Sequence, residues 1–149
     1  MRKYLLDINI ISYLADAESP FHENVRKRFR ALGKEDVVAL SVLGLYEFYY
    51  SFSRADDDLD PQILRTKEKV CTTLPVILLS DEGAKVFGEL KAVYQNRYRL
   101  PRTALAHDTV DLMIVASALE TGSVLVSHEQ VFRTIQAIHP ALQLEDWAQ

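Results

Sequence analysis

The chain reads as an α/β protein: a mostly parallel central sheet of about five strands, with helices on both faces. Three observations predict this. Short apolar runs of strand length alternate with longer segments of helical periodicity, the pattern of strand–helix–strand units and hence of parallel pairing. The first run, KYLLD, is apolar almost without interruption, as a strand buried on both faces must be. No Gly-, Pro- or Ser-rich linker divides the 149 residues, so residues 1–149 are expected to form a single domain.

The elements follow in order. Tyr4, Leu5 and Leu6 form the first strand, which stops at Asp7, and Asn9 to Leu14 begin a helix. A second helix follows Pro20, with Phe21, Val25, Phe29 and Leu32 on one apolar stripe. Val37 to Ser41 is the second strand, and a helix runs from about Val42 to Arg54. Asp56, Asp57, Asp58 and Asp60 read as a solvated loop ending at Pro61, a favoured first helical residue; that helix runs to about Thr73. Val76 to Leu79 is the third strand, and Ser80 or Asp81 caps the helix after it. Pro101 marks a loop over Arg99 to Ala106. Thr109 to Thr121 is helical and closed by Gly122. Ser123 to Ser127 is the fourth strand, a short helix carries Val131, Phe132 and Ile135, and a last strand at Gln143 and Leu144 precedes Trp147.

Composition narrows the function classes. Hydrophobic residues make up 48% and charged residues 26%, the ordinary balance of a globular protein. Five Gly and five Pro exclude collagen-like and low-complexity readings, and no solenoid-length repeat is present. The lone Cys71 can form neither an internal disulfide nor a thiolate zinc site and reads as a small core residue. MRKYLLDINI reaches Asp7 after too few apolar residues for a signal peptide, and no run approaches a membrane span. A cytoplasmic protein with no membrane partner is expected. The net charge of −4 argues against polyanion binding over the whole surface, but acids gathered in one place and bases in another would still allow it.

Four acids are expected to meet. In open parallel sheets, function lies outside the carboxyl ends of the strands. Asp7 leaves strand one there. Glu47 lies early in the helix leaving strand two. Asp111 is read as opening the helix that feeds strand four, which puts it at the same edge. Glu129 follows strand four directly. Carboxylates packed together repel one another and partly protonate; a hard divalent cation relieves this, and oxygen-only ligation suits Mg²⁺ or Mn²⁺, one ion or two. Hydrolysis of a phosphodiester by metal-activated water is the chemistry such a site performs. Each acid also has a plainer reading. Asp7 alone could be a helix cap, Asp111 could share a capping arrangement with Asp108, and Glu129 could be an ordinary exposed acid.

The segments around these acids resemble a known family. YLLDINIISYL is similar to the opening of PIN-domain nucleases, especially the VapC-like toxins, with Ile8 where a Thr is usual. SVLGLYEFYYSFSR resembles their second motif, with Glu47 as its acid. VDLMIVASALETGSVLVSHEQVF resembles the third and fourth, and LQLEDW the closing segment. The resemblance covers the whole chain. It implies a single PIN-like nuclease domain that cleaves RNA, forms a homodimer and is inhibited by a cognate antitoxin. It also implies that Asp7, Glu47, Asp111 and Glu129 are catalytic, metal-binding acids. The fourth acid is usually Asp, and here the turn is Ser127-His128-Glu129, which leaves open whether Glu129 or His128 completes the site. Asn9 would orient Asp7 or a bound water, and Ser127 would do the same for the fourth acid, or each would serve simply as a cap.

Other features are less specific. Arg26, Lys27, Arg28, Arg30 and Lys34 form a basic run that reads as a solvated face. Arg97, Arg99 and Arg102, with Tyr98 among them, are candidates for RNA contact. Tyr46, Phe48, Tyr49, Tyr50 and Phe52 place aromatics around nearly the whole helix of Glu47, more than one buried stripe needs, and suggest a surface shared with a second subunit or an antitoxin helix. His22, His107 and His139 read as surface residues. Two other functions stay open: a non-catalytic regulator of the same fold acting through a DNA-binding partner, and a housekeeping RNA-processing nuclease. An aspartyl-phosphate phosphatase would want a second Asp at position 9, where Asn9 stands.

Overall fold

The structure, a computed structural model, describes residues 1–54 and 60–149. Asp56, Asp57 and Asp58 of the acidic stretch lie outside the described residues. β1 (Lys3–Leu6), β2 (Val37–Ser41), β3 (Val76–Ile77), β4 (Val124–Val126) and β5 (Leu144–Glu145) form one sheet in the order β3-β2-β1-β4-β5. Every pairing is parallel. The helices are α1 (Ile8–Ala15), α2 (His22–Arg30), α3 (Val42–Ser53), α4 (Pro61–Thr73), α5 (Asp81–Tyr98), α6 (Arg102–Thr121) and α7 (Gln130–Ile138).

The two faces of the sheet explain the continuous apolar runs. Successive strand residues point to opposite sides. Tyr4, Leu6, Val124 and Val126 join a core with Ile8, Ile11, Val25, Phe48, Cys71 and Trp147. Leu5 and Leu125 join the opposite core with Leu90, Leu105, Leu112, Val115 and Phe132. Helices α1 to α4 thus cover one face and α5 to α7 the other. Cys71 is buried, as its reading required.

Local signals set the helix ends. Ser41, Asp60 and Ser80 each accept a backbone N–H through the side chain at an N-terminus. Gly122 ends α6 at φ 65°, a conformation an L side chain adopts only at a cost. Arg99 adopts the same left-handed region to end α5, at φ 51°.

Several sequence expectations need correction. The segment Arg99 to Ala106 is not a loop: α6 begins at Arg102 and runs unbroken to Thr121. Pro101 stands just before the first helical turn, where its missing N–H costs nothing, so the residue read as a loop marker is a helix start. Asp111 therefore lies in the middle of α6, not at its opening. The third strand ends at Ile77 instead of Leu79; it is an edge strand, and Leu78 and Leu79 are exposed beyond it. The last strand is Leu144–Glu145, one residue later than expected. His22 and His139 are half-buried, and His22 Nδ1 lies 3.0 Å from the Tyr13 carbonyl.

Candidate active site

The chain runs from β1 outward to β2 and β3, then returns to place β4 and β5 on the other side of β1. The strand order therefore reverses between β1 and β4, and a crevice opens at the carboxyl ends of strands that diverge in this way. Asp7 leaves β1 on one side of that crevice, and Ser127 and Glu129 leave β4 on the other.

Asp7 is 7% exposed. It occupies the N-cap position of α1, yet its side chain makes no capping hydrogen bond. The carboxylate turns instead to the Ser127 hydroxyl, which donates to Asp7 Oδ2 at 2.9 Å. The same Ser127 Oγ accepts the Glu129 N–H at 3.0 Å. Glu129 likewise holds an N-cap position without capping, and its carboxylate accepts the Asn9 side-chain amide. The helix-cap reading of Asp7 is thus excluded by where its oxygens go; Glu129 is exposed, but its carboxylate is taken up by Asn9. Asn9 and Ser127 tie together the segments carrying these two acids.

Asp111 reaches the same place from mid-helix. It precedes the end of α6 by ten residues, about 15 Å of helix, which is roughly the height of the strands beside it. Residues 102–110 continue beyond the sheet edge and pair with the end of α5. Asp108 accepts the Tyr94 hydroxyl at 2.6 Å and lies inside the helix, so Asp108 and Asp111 do not form a capping pair. Glu47 sits midway along α3, solvent-accessible, one residue before the buried Phe48.

The electrostatics show that the four acids face one another. Burial, above all, pushes the Asp7 carboxyl up to about 6, Glu129 and Glu47 add to the rise, and the Ser127 hydrogen bond opposes it. Burial likewise pushes Asp111 up to about 7, reinforced by Asp7, Asp108, Glu47 and Glu129. Partial burial raises Glu47, Glu129 adds to this, and Lys67 works against it. Every one of the six pairs among Asp7, Glu47, Asp111 and Glu129 is electrostatically coupled. Among the described residues, no three His, Cys, Asp or Glu side chains already close on one point as a metal cage; the four acids border a shared space at longer range.

His128 faces a different set of partners. Its Nδ1 lies 2.8 Å from Asp146 Oδ2, which also accepts from Arg133 at 2.8 Å, and its ring packs 4.7 Å from Phe21. Arg97, Arg99 and Arg102 are exposed at the tip of the hairpin made by α5 and α6. Arg102 is nine residues, about 14 Å of helix, from Asp111. In the basic run, Arg26 pairs with Glu23 and Arg28 with Glu145 at the surface, as a solvated face does.

Two residues at the site escaped the sequence reading. Tyr13 lies close enough to Glu129 and Asp7 for both to raise its hydroxyl pKa, after burial. Lys67, half-buried on α4, interacts with Asp7 and Glu47. Its signal was present: it interrupts the stripe Leu64, Val70, Cys71 and Leu74 at a position where an apolar residue is expected. The aromatics of α3 divide sharply. Phe48 is buried, whereas Tyr46 is 73% and Tyr50 63% exposed, with Tyr49 and Phe52 also at the surface. Burial within the chain therefore does not account for them.

No curated protein sequence matches the chain. Solved structures do. A VapBC2 complex from Rickettsia felis, bound to a DNA fragment of its promoter, matches at TM-score 0.73 with 23% identity, over 97% of this chain and 98% of that one. VapBC-1 from nontypeable Haemophilus influenzae matches at 0.73 with 22% identity, over 99% of each chain. A DNA-bound VapBC from Salmonella typhimurium matches at 0.71 with 25% identity, again over 99% of each. The PIN domain itself matches residues 4–138, a span that contains Asp7, Glu47, Asp111 and Glu129, and the chain belongs to the PIN domain family.

Proposed function

We propose that this PIN domain is a metal-dependent endoribonuclease, the toxin of a toxin–antitoxin pair, that hydrolyses RNA phosphodiesters. One observation carries the hydrolase reading: four separate segments bring four carboxylates to the switch point of the sheet, each within electrostatic reach of the others. Three of these acids, Asp7, Glu47 and Asp111, resist ionisation, which has no evident structural purpose, since apolar residues would fill the crevice at lower cost.

The donor set fits a hard divalent cation, because all four side chains offer carboxylate oxygen. Asp7 and Asp111 would hold Mg²⁺ or Mn²⁺, with Glu47 and Glu129 completing or relaying the coordination of one ion or two. When bound, such an ion supplies Lewis-acid stabilisation of the charge that builds on a phosphate and makes a nearby water acidic enough to attack it. The chain's own contribution is orientation. Ser127 fixes one oxygen of Asp7, and Asn9 fixes Glu129, so two of the four acids are aimed before a substrate arrives. Asp146 and Arg133 occupy His128 Nδ1 and the carboxylate beside it, which favours Glu129 over His128 as the fourth acid.

Similarity to VapBC complexes supports an antitoxin partner, and the exposed aromatics of α3 offer an apolar surface for it or for a second copy in a homodimer. Arg97, Arg99 and Arg102 give the hairpin tip a positive surface suited to an RNA backbone. A second reading draws on the DNA bound to two of the compared complexes: a regulator that reaches DNA through its partner. The deciding experiment is cleavage of total bacterial RNA by antitoxin-free protein with Mg²⁺, with Mn²⁺ and with chelator, beside Asp111→Asn. Metal-dependent cleavage that the variant lacks supports the nuclease. Inactive but folded protein that binds no Mn²⁺, yet reaches DNA with its partner, supports the regulator.

A further inference from the structure

The four acids pose a problem for any RNA that approaches them, because its phosphates meet a surface of their own sign. Lys67 is a cation that acts on this cluster: it works against the rise of Glu47, and besides its burial and Cys71 it is itself influenced by Asp7 and Glu47. The side chain is placed firmly. Lys67 lies one turn before the buried Cys71 on the inward stripe of α4, and its Nζ sits over the Phe48 ring, 5.4 Å from the centroid. Phe48 follows Glu47 directly, so the ring that holds the ammonium is rigidly tied to the backbone that carries one of the acids. A snorkelling lysine would pack its stem on apolar neighbours and send its charge to open water; this one is half-buried and keeps its charge over the ring next to Glu47.

We infer that Lys67 is a substrate-binding residue whose ammonium receives a phosphate of the bound RNA at the α3–α4 side of the acid cluster, beside Asp7 and Glu47. The inference rests on the nuclease reading above and adds to it a named cation and a direction of approach. An ammonium is a point charge with three donors, suited to a non-bridging phosphate oxygen without demanding one geometry.

The test uses Lys67→Met, which keeps the packing of the stem, and Lys67→Arg, which keeps the charge. Binding of a fluorescent mixed-sequence single-stranded RNA is measured in Ca²⁺ over a range of KCl concentrations, with circular dichroism as the check of folding. Lys67→Met weakens binding about tenfold and reduces the slope of log K against log salt by about one, while Lys67→Arg restores most of both. A calorimetric Mn²⁺ titration without RNA separates the alternative. If Lys67→Met only tightens Mn²⁺ binding and leaves RNA affinity and salt slope unchanged, the lysine is a counter-charge for the acids and the inference is wrong. If the parent binds no RNA at all, the nuclease reading fails first and the role of Lys67 falls with it.

Discussion

Replacing Asp7 with Asn removes one charge from the acid cluster but keeps the shape and an oxygen able to accept the Ser127 hydroxyl. Burial holds the Asp7 carboxyl at about 6, against an ordinary value of 3.8. Ionising it inside the fold costs about 1.4 kcal/mol for each unit, so about 3 kcal/mol in all. Part of the rise comes from Glu129 and Glu47, which readjust once Asp7 is neutral, and the net gain for Asp7→Asn in chelator is about 1–3 kcal/mol. The sign with pH follows from the raised value. Below 3.8 the carboxyl is neutral whether folded or unfolded and costs nothing; the penalty grows as pH rises and is complete above about 6. At this chain length 1 kcal/mol moves Tm by about 2–4 °C. The variant therefore melts roughly 3–10 °C above the parent at about pH 8 in EDTA, and nearly level with it at about pH 4. Thermal melts followed by circular dichroism at both pH values measure this. Equal melting at the higher pH, or a gap of the same size at the lower, would refute a strained carboxylate at position 7. Added Mg²⁺ should then stabilise the parent more than the variant, by mass action.

Three further outcomes are expected. Ser127→Ala removes a bond that holds Asp7 down and one that places the Glu129 backbone; it costs about 1–2 kcal/mol of stability and weakens Mn²⁺ binding, and unchanged calorimetric affinity would contradict the orienting role. Tyr46→Ala combined with Tyr50→Ala leaves the melting of the isolated chain within about 0.5 kcal/mol but abolishes association with a second copy or an antitoxin, as read by light scattering. Gly122→Ala meets no atom within 4 Å, so its cost is the left-handed backbone alone, about 1–2 kcal/mol by urea unfolding, with RNA cleavage retained.

What the sequence revealed depended on whether a signal was local. Asp7 was legible because an apolar strand ends abruptly in an acid, and the parallel sheet followed from alternating periods. Asp111 was found as an acid, but its setting was misread, since Pro101 signals a loop and a helix start alike and only tertiary contact with α5 decides between them. From Leu112 to Ala118, α6 is buried almost all round, so no single stripe marks where the helix begins. Lys67 escaped the sequence reading because the neighbours around it, Asp7, Glu47 and Phe48, are distant in sequence. The reach of Ser127 to Asp7, spanning 120 positions, required the β1–β4 pairing to be known.

The continuity of α6 bears on how the site tolerates change. Its half after Asp111 is clamped in the core, with Leu112 and Ile114 to Ala118 buried, whereas in the half before it only Leu105 is. Asp111 therefore stands at the fulcrum of a lever, not at its end. Any bending of the exposed arm would displace the arginine tip far more than the acid. Whole turns added to or taken from α5 and α6 together would change the arm's reach and leave the acid cluster where it is, so the arm and the cluster can vary independently.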